Sequence, residues 1–352
     1  MSRWLRIAAS VALIAGIFVF ALPKVADFSE VWTQMREMTW LELVTLAAIS
    51  FWNIVTYWFV MMAALPGSNV WQTMKVNQAS TAVANTLPGG GAIAVGVTYA
   101  MYHEYGFDRA QISLSVLVTG IWNNFVKLGM PVVALGLLAL QGGASRSLVV
   151  GAAAGVIVLI AAVGLFATVL VSEAAARRVG NGLGHVWAAA RRVFRKESQA
   201  SVADATVRFR KDAIQLVGSR GIALTGATLV SHLSLYLVLL LALRHVGVSE
   251  EAASWIEVLA AFSFLRLVSA LPITPGGLGV VELGLTAGLV AAGAPRAETV
   301  AAVLVYRALT YLLPIPFGMA AYLKWRKGSA ARRERLAAMG TPVAPAGPGT
   351  PR

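Results

Sequence analysis

The stretch "VVGAAAGVIVLIAAVGLFATVLV" (Val149 to Val171) carries no charge and does not alternate apolar with polar residues. About 20 consecutive apolar residues suffice for a helix to cross a ~30 Å hydrocarbon core. Backbone groups in lipid find no water, so only helices or closed barrels span it. The lack of alternation excludes a barrel here. Similar apolar stretches fall at 5–22, 41–64, 79–102, 111–140, 213–243, 254–293 and 299–323. Only 13% of the 352 residues are charged, against roughly a quarter in soluble domains. The expected fold is an all-α polytopic membrane protein.

The net charge of +13 raises the question of nucleic acid. Its distribution answers against it, because the basic residues gather in connectors where positive charge sets topology. The connector 172–212 holds nine Lys/Arg and four Asp/Glu, and its "HVWAAARRVFRK" stretch (His185 to Lys196) suits either a basic helix on anionic lipid or a solvated loop helix. A basic run follows Tyr322, and residues 326–352, with Pro342, Pro345, Pro348 and Pro351, read as a disordered tail. Arg3 and Arg6 precede the first apolar stretch, read as an anchor and not as a cleaved signal because no small-x-small site follows it closely. No cysteine is present, which excludes disulfides and thiolate chemistry.

The chain repeats itself. Shifted by 187 residues, Pro88 to Val118 overlies Pro275 to Val305 with ten of 31 positions identical, among them Pro-Gly-Gly, Arg-Ala and Val-Leu-Val. Two repeats are expected, at about 41–140 and 213–323, within one transmembrane domain over 1–325. If 65–106 and 252–293 are re-entrant hairpins, six full spans remain and both termini are cytoplasmic, as the charge distribution asks. The repeats are then inverted, one hairpin entering from each face.

Each repeat contains a helix breaker at membrane depth, "NTLPGGG" (Asn85 to Gly91) and "LPITPGGLGVVE" (Leu271 to Glu282). Irregular backbone survives there only where protein or water surrounds it. A broken helix offers unpaired N–H groups at the start of its second half, carrying about half a positive charge. Glycines there let a ligand approach the backbone. The candidate binding residues are therefore Asn85, Pro88, Gly89, Gly90, Pro275, Gly276, Gly277 and Gly279. Packing kinks are the competing reading. The ionisable groups in the apolar segments are Lys127, Arg220, Arg266 and Arg307 against Glu257 and Glu282. Intramembrane charges usually face the bundle interior or a water-filled path. Arg307 lies about 12 Å along a helix from Thr299, too deep for easy snorkelling, whereas Arg220 has both interior and snorkelled readings. Glu282 pairs with Arg266 or Arg307 in this reading, and the basic excess points to an anion such as phosphate, which arginine grips bidentately. Polar residues between Val76 and Thr86, with Asn123 and Asn124, either line a hydrophilic path or satisfy freed backbone groups.

At "FLRLVSALPITPGGLGVVE" (Phe264 to Glu282), "VYRALTYLLPIPFG" (Val305 to Gly318) and the weaker "NTLPGGG", the chain resembles the flippase-like membrane region of the lysylphosphatidylglycerol synthase family. Arg266, Pro275, Gly276, Gly277, Gly279, Glu282 and Arg307 match its characteristic positions. The resemblance implies movement of an anionic or aminoacylated phospholipid, or a polyprenyl-phosphate-linked glycolipid, between leaflets of the cell membrane. Family members that make the lipid carry a soluble aminoacyltransferase domain after the membrane part. Only 29 residues follow Leu323 here, so aminoacylation is not expected and a lipid-synthesising enzyme is a conceivable partner. Secondary transport of a small anionic solute is the competing function. An enzyme is disfavoured because the four histidines are scattered and the spans lack paired carboxylates or a metal-spaced cluster. No cofactor is expected, and no phosphate-binding Gly-x-x-x-x-Gly-Lys-Ser/Thr motif points to ATP.

Overall fold

The structure is a computed structural model and describes residues 32–33, 36–87, 90–143, 146–192, 202–269 and 277–338. The expected span at 5–22, the breaker residues Pro88, Gly89 and 270–276, the connector residues 193–201 and the tail from 339 onward lie outside the described residues.

All regular structure among the described residues is helical. Eleven helices follow one another as α1 (Trp40–Ala64), α2 (Val70–Thr86), α3 (Gly90–Glu104), α4 (Arg109–Leu138), α5 (Arg146–Val171), α6 (Glu173–Arg192), α7 (Val202–His245), α8 (Trp255–Val268), α9 (Val280–Ala291), α10 (Arg296–Arg307) and α11 (Pro314–Ala338). Short π-helical turns extend α4 over Ala139–Gly143 and join α10 to α11 over Ala308–Leu312. Five described segments are long and apolar enough to cross a membrane: Trp40–Ala64, Arg109–Gln141, Ala153–Val171, Asp204–His245 and Arg296–Ser329. Each coincides with one of the expected spans. The two remaining apolar stretches, 79–102 and 254–293, are each divided into a pair of shorter helices.

Helix starts are written locally. Thr39, Asn69, Asp108 and Ser254 each cap a helix and exchange hydrogen bonds with the residue three places on, respectively Glu42, Gln72, Gln111 and Glu257. Each such cap contributes about 1 kcal/mol by satisfying N–H groups that have no partner within the helix.

The internal repeat is present in the backbone. Helix α4 begins at Arg109 and α10 at Arg296, the same 187-residue shift that aligns the sequences. The turn before each is identical bond for bond. Gly106 N–H reaches the His103 carbonyl and Phe107 N–H the Tyr102 carbonyl; Gly293 N–H reaches Val290 and Ala294 N–H reaches Leu289. Both glycines have positive φ, 92° and 114°. This conformation costs L-residues a steric clash, so glycine was retained in both copies.

Where the first apolar stretch breaks, the chain folds back sharply. The Gly90 N–H donates to the Leu87 carbonyl, and α2 and α3 pack against each other. A Cβ on Gly90 would lie 2.4 Å from the Ala84 carbonyl oxygen. In the second repeat α8 packs on α9, with Gly284 lying beneath Leu265.

Helix α7 is the hub, contacting α1, α4, α5, α6, α8 and α10. At about 1.5 Å per residue it is roughly 65 Å long, twice the hydrocarbon thickness. The second part of the basic connector is therefore the extension of a spanning helix, against which α6 packs, Ala176 and Val179 clustering with Val207 of α7 and Val169 of α5. Arg177 joins the two by pairing with both Glu173 and Asp204. Of the stretch expected to lie on lipid, residues 185–192 are helical and 193–196 lie outside the described residues. Helix α11 continues to Ala338, past the point at 326 where a disordered tail was expected to begin.

Helix α11 lies against α2, joining the end of the second repeat to the hairpin of the first. Gly318 sits at the crossing, where a Cβ would approach the Gln78 carbonyl oxygen to 2.1 Å. Further along, Trp325 Nε1–H and the Ser329 hydroxyl both donate to Glu104. Gly318→Val should lower stability by about 1–3 kcal/mol through overpacking, seen as a reduced thermal midpoint in detergent. The inverted arrangement also has a direct check, since the protein lacks cysteine. With Arg178→Cys, a membrane-impermeant maleimide should label only from the cytoplasmic side; with Gln141→Cys, only from the opposite side. Labelling of both from one side would exclude that arrangement.

Candidate functional site

Glu282 stands three residues after Gly279, whose φ of 79° suits only glycine, and which occupies the cap position of α9. Glycine has no side chain with which to cap, so only the return half of a capping pair forms. The Gly279 N–H donates to Glu282 Oε2 at 2.6 Å. The other carboxylate oxygen accepts from Arg307 Nε at 2.8 Å. The pair is buried, with 2% of the Glu282 side chain and 12% of the Arg307 side chain exposed.

Arg307 ends α10, just before the π turn. A π turn inserts one residue into the helical ladder and commonly marks a functional position. Here it brings Tyr311 under Arg307, the guanidinium carbon lying 4.3 Å from the ring centroid. The Tyr311 hydroxyl donates to the Asn85 carbonyl at 2.6 Å, and Asn85 Nδ2 donates back to the Tyr311 carbonyl at 3.4 Å. A continuous chain of contacts therefore runs from Gly279 through Glu282, Arg307 and Tyr311 to Asn85. It connects the breaks of both repeats.

Arg266 lies near the end of α8, an electrostatic neighbour of Arg307, Tyr306 and Tyr57. Its Nε is buried without a hydrogen-bond partner among the described residues. Lys127, from α4, is an electrostatic neighbour of Arg266, and His232, from α7, of both. His232 is 3% exposed; its Nδ1–H donates to the Thr228 carbonyl at 3.0 Å, while Nε2 is buried and has no hydrogen-bond partner among the described residues. Tyr57 accepts from Asn123 Nδ2 at 3.4 Å. Lys127 and Arg266 have no carboxylate partner among the described residues. Four helices thus contribute mutually interacting basic side chains to the interior, and among the described residues one carboxylate, Glu282, is committed to one of them, Arg307.

Several expected residues meet here and others do not. Arg266, Arg307, Glu282 and Lys127 share one region, and Gly277 and Gly279 form the turn into α9. Glu282 pairs with Arg307, not Arg266. Asn85 joins through Tyr311, while Gly90 serves the tight hairpin of α2 and α3. Pro88, Gly89, Pro275 and Gly276 lie outside the described residues. Arg220 is exposed on α7, and Glu257 caps Ser254 at the far end of α8 from Arg266. The start of α9 differs from the expectation of an open anion-binding terminus. Its Gly279 amide is already held by Glu282, because a carboxylate at the third helical position returns to the nearest free N–H.

The part-buried Asn123 and the exposed Asn124 donate to the Thr119 and Gly120 carbonyls of their own helix, which satisfies their side-chain amides. His232 and Tyr57 were not identifiable as site residues from sequence. The one signal the sequence carries is His232 as a lone histidine inside an apolar span.

The family described as Lysylphosphatidylglycerol synthase TM region matches residues 7–318. The chain belongs to this family. No protein of curated function matches it. Membership accounts for the multi-pass membrane architecture and places the chain among proteins associated with lipid handling.

The buried pair can be tested thermodynamically. Glu282→Gln leaves the Arg307 charge uncompensated and should cost about 3–5 kcal/mol. Removing both charges in Glu282→Gln/Arg307→Gln should cost less than the sum of the single changes, with a coupling of about 1–3 kcal/mol in detergent unfolding. Additive losses would mean that the two groups do not interact.

Proposed function

We propose that the protein is a flippase-like translocator, moving an anionic or aminoacylated phospholipid or a polyprenyl-phosphate-linked glycolipid between leaflets of the cell membrane. The observation that carries this reading is the excess of basic over acidic groups where the two broken-helix pairs meet. Charge in the membrane interior is costly unless it is paired or serves a path for ligand. Lys127 and Arg266 have no acidic partner among the described residues, so a ligand phosphate supplies the opposite charge. Arg307, held by Glu282, joins the phosphate when that pair opens. The protein itself performs no covalent chemistry in this reading. The two hairpins enter from opposite faces, both termini are cytoplasmic, and the repeats move relative to each other through the contact between Asn85 and Tyr311.

A lipid fits better than a small soluble anion because of what lies beside the charges. The other face of α8 and α9 borders an open, mostly apolar groove of about 480 Å³ lined by Phe264, Leu265, Val268, Val280, Gly284 and Gly288, with Glu257 among its lining residues. This is within the range of ligand pockets and gives an acyl chain a surface continuous with the helices that carry the head-group residues.

The test is translocation of labelled anionic lipid in reconstituted vesicles. Arg266→Gln should slow it by at least tenfold. Arg307→Lys, which keeps the charge and loses the planar fork, should slow it less than Arg307→Gln does. Wild-type rates in folded variants would eliminate the proposed site. Flux of soluble phosphate without lipid movement would favour the anion transporter.

A further inference from the structure

Helix α2 carries polar side chains along one face where a hairpin in lipid would carry apolar ones. At 3.6 residues per turn, Asn77, Gln78, Thr81 and Asn85 fall within about a third of its circumference, and the buried Val76, Ala79 and Val83 lie opposite. All four polar residues are partly accessible. The hydroxyls of Thr73, Ser80 and Thr86 return to carbonyls of their own helix. Asn85 is bonded to Tyr311. The side chains of Asn77, Gln78 and Thr81 make no hydrogen bond among the described residues. Unpartnered carboxamides are costly in hydrocarbon, so this face borders water or a polar ligand.

The face leads from one membrane surface to the buried ion pair. Asn85 meets Tyr311, and the Gln78 carbonyl meets Gly318. Seven residues back in one helix correspond to seven residues on in the other, so α2 and α11 run antiparallel. The same register sets Lys75 level with Ala321, and the exposed Lys324, Arg326 and Lys327 follow just beyond. At that end Glu104, which closes α3, accepts from Trp325 and Ser329 of α11. The open end of the α2–α3 hairpin and the basic end of α11 therefore share one face of the membrane. Asn77 and Asn85 are about 12 Å apart along α2. Asn85 bonds Tyr311, on whose ring Arg307 lies.

We infer that Asn77, Gln78 and Thr81 are head-group contacts, forming a polar track that takes the head group of a membrane lipid from this basic face to Arg307. Basic side chains at a membrane surface gather anionic head groups at the mouth of the track. Carboxamides and hydroxyls both donate and accept, so they replace water around a phosphate or hydroxyl as it passes, without the grip of a full charge. The occupant is a lipid because the same hairpin exposes Val70, Trp71 and Leu87, which gives acyl chains an apolar surface while the head group travels. This inference rests on the translocator reading and adds its entry face and the contacts made before Arg307.

The experiment places single cysteines in the full chain, which has none of its own, in phosphatidylcholine vesicles. Asn77→Cys and Thr81→Cys should react with a small membrane-impermeant thiosulfonate added on the face that carries Lys324, and short-chain phosphatidylglycerol should protect them. Ile93→Cys, on the exposed apolar side of α3, should stay unreactive. Equal inertness at all three positions would overturn the track, and reaction only from the opposite face would overturn its entry side. Protection by inorganic phosphate as strong as that by the lipid would overturn the lipid occupant. In translocation of labelled phosphatidylglycerol, Asn77→Leu/Thr81→Val should be slowed by about tenfold, the scale of lost hydrogen bonds along the path. Thr81→Ser, which keeps the hydroxyl, should be slowed less than Thr81→Val. Wild-type rates in the folded double variant would overturn the track and leave the translocator standing. A wild-type protein that moves no lipid would overturn both.

Discussion

One carboxylate organises the interior of this protein. Glu282 satisfies the first amide of α9 and the guanidinium of Arg307 at once, and Arg307 in turn lies on Tyr311, which bonds to Asn85 in the other repeat. Each link answers a local physical demand: a free N–H at a helix start, a charge in an apolar surround, a buried hydroxyl. Linked together, they fix how the break in one repeat stands against the break in the other. A buried ion pair is a poor source of net stability, since desolvating two charges offsets most of their attraction. Its value lies in specifying one arrangement, because any other leaves a charge unpaired.

The repeats show how a duplicated segment diverges around a preserved frame. The glycine turns before α4 and α10 keep the same hydrogen bonds, and both helices begin at matched positions. The chemistry is not duplicated. The position matching Arg307 in the first repeat is Gly120, and the one matching Glu282 is Val95. The charged pair therefore belongs to the second repeat alone, with Lys127 contributed by the first. Polar contacts across α1 and α7, such as Asn53 Nδ2–H to the Ser234 hydroxyl at 2.8 Å, join the two halves away from the site.

The interior is built to keep some polar groups inert and others available. The hydroxyls of Thr228, Ser263 and Thr299 return to carbonyls of their own helices, which removes them as ligand groups at little cost. Lys127, the Arg266 Nε and the His232 Nε2 are left outside that pattern. Their electrostatic coupling, beside the one carboxylate engaged there among the described residues, distinguishes a site from incidental polarity.

Much of the fold was legible in the sequence, and for a clear reason. Lipid demands long apolar helices, so 41–64, 111–140, 147–171, 213–243 and 299–323 declared themselves by composition alone. The Pro-Gly-Gly breaks and the Arg-Ala helix starts marked the repeat because backbone conformation depends on local residue type. Arg266, Glu282, Arg307 and Lys127 stood out because ionised groups are rare at membrane depth. Which of them pair could not be read, since residues 25 positions apart in the chain meet only through packing of α9 on α10. The same holds for Tyr311 on Asn85 and for His232 beside Arg266. Sequence by itself determined the helices, their interruptions and the inventory of charges, all properties of short segments in an apolar solvent. Tertiary structure alone decided that Glu282 neutralises Arg307 and leaves Lys127 and Arg266 without an acidic partner among the described residues, because electrostatic pairing depends on distances that only the packed helices set.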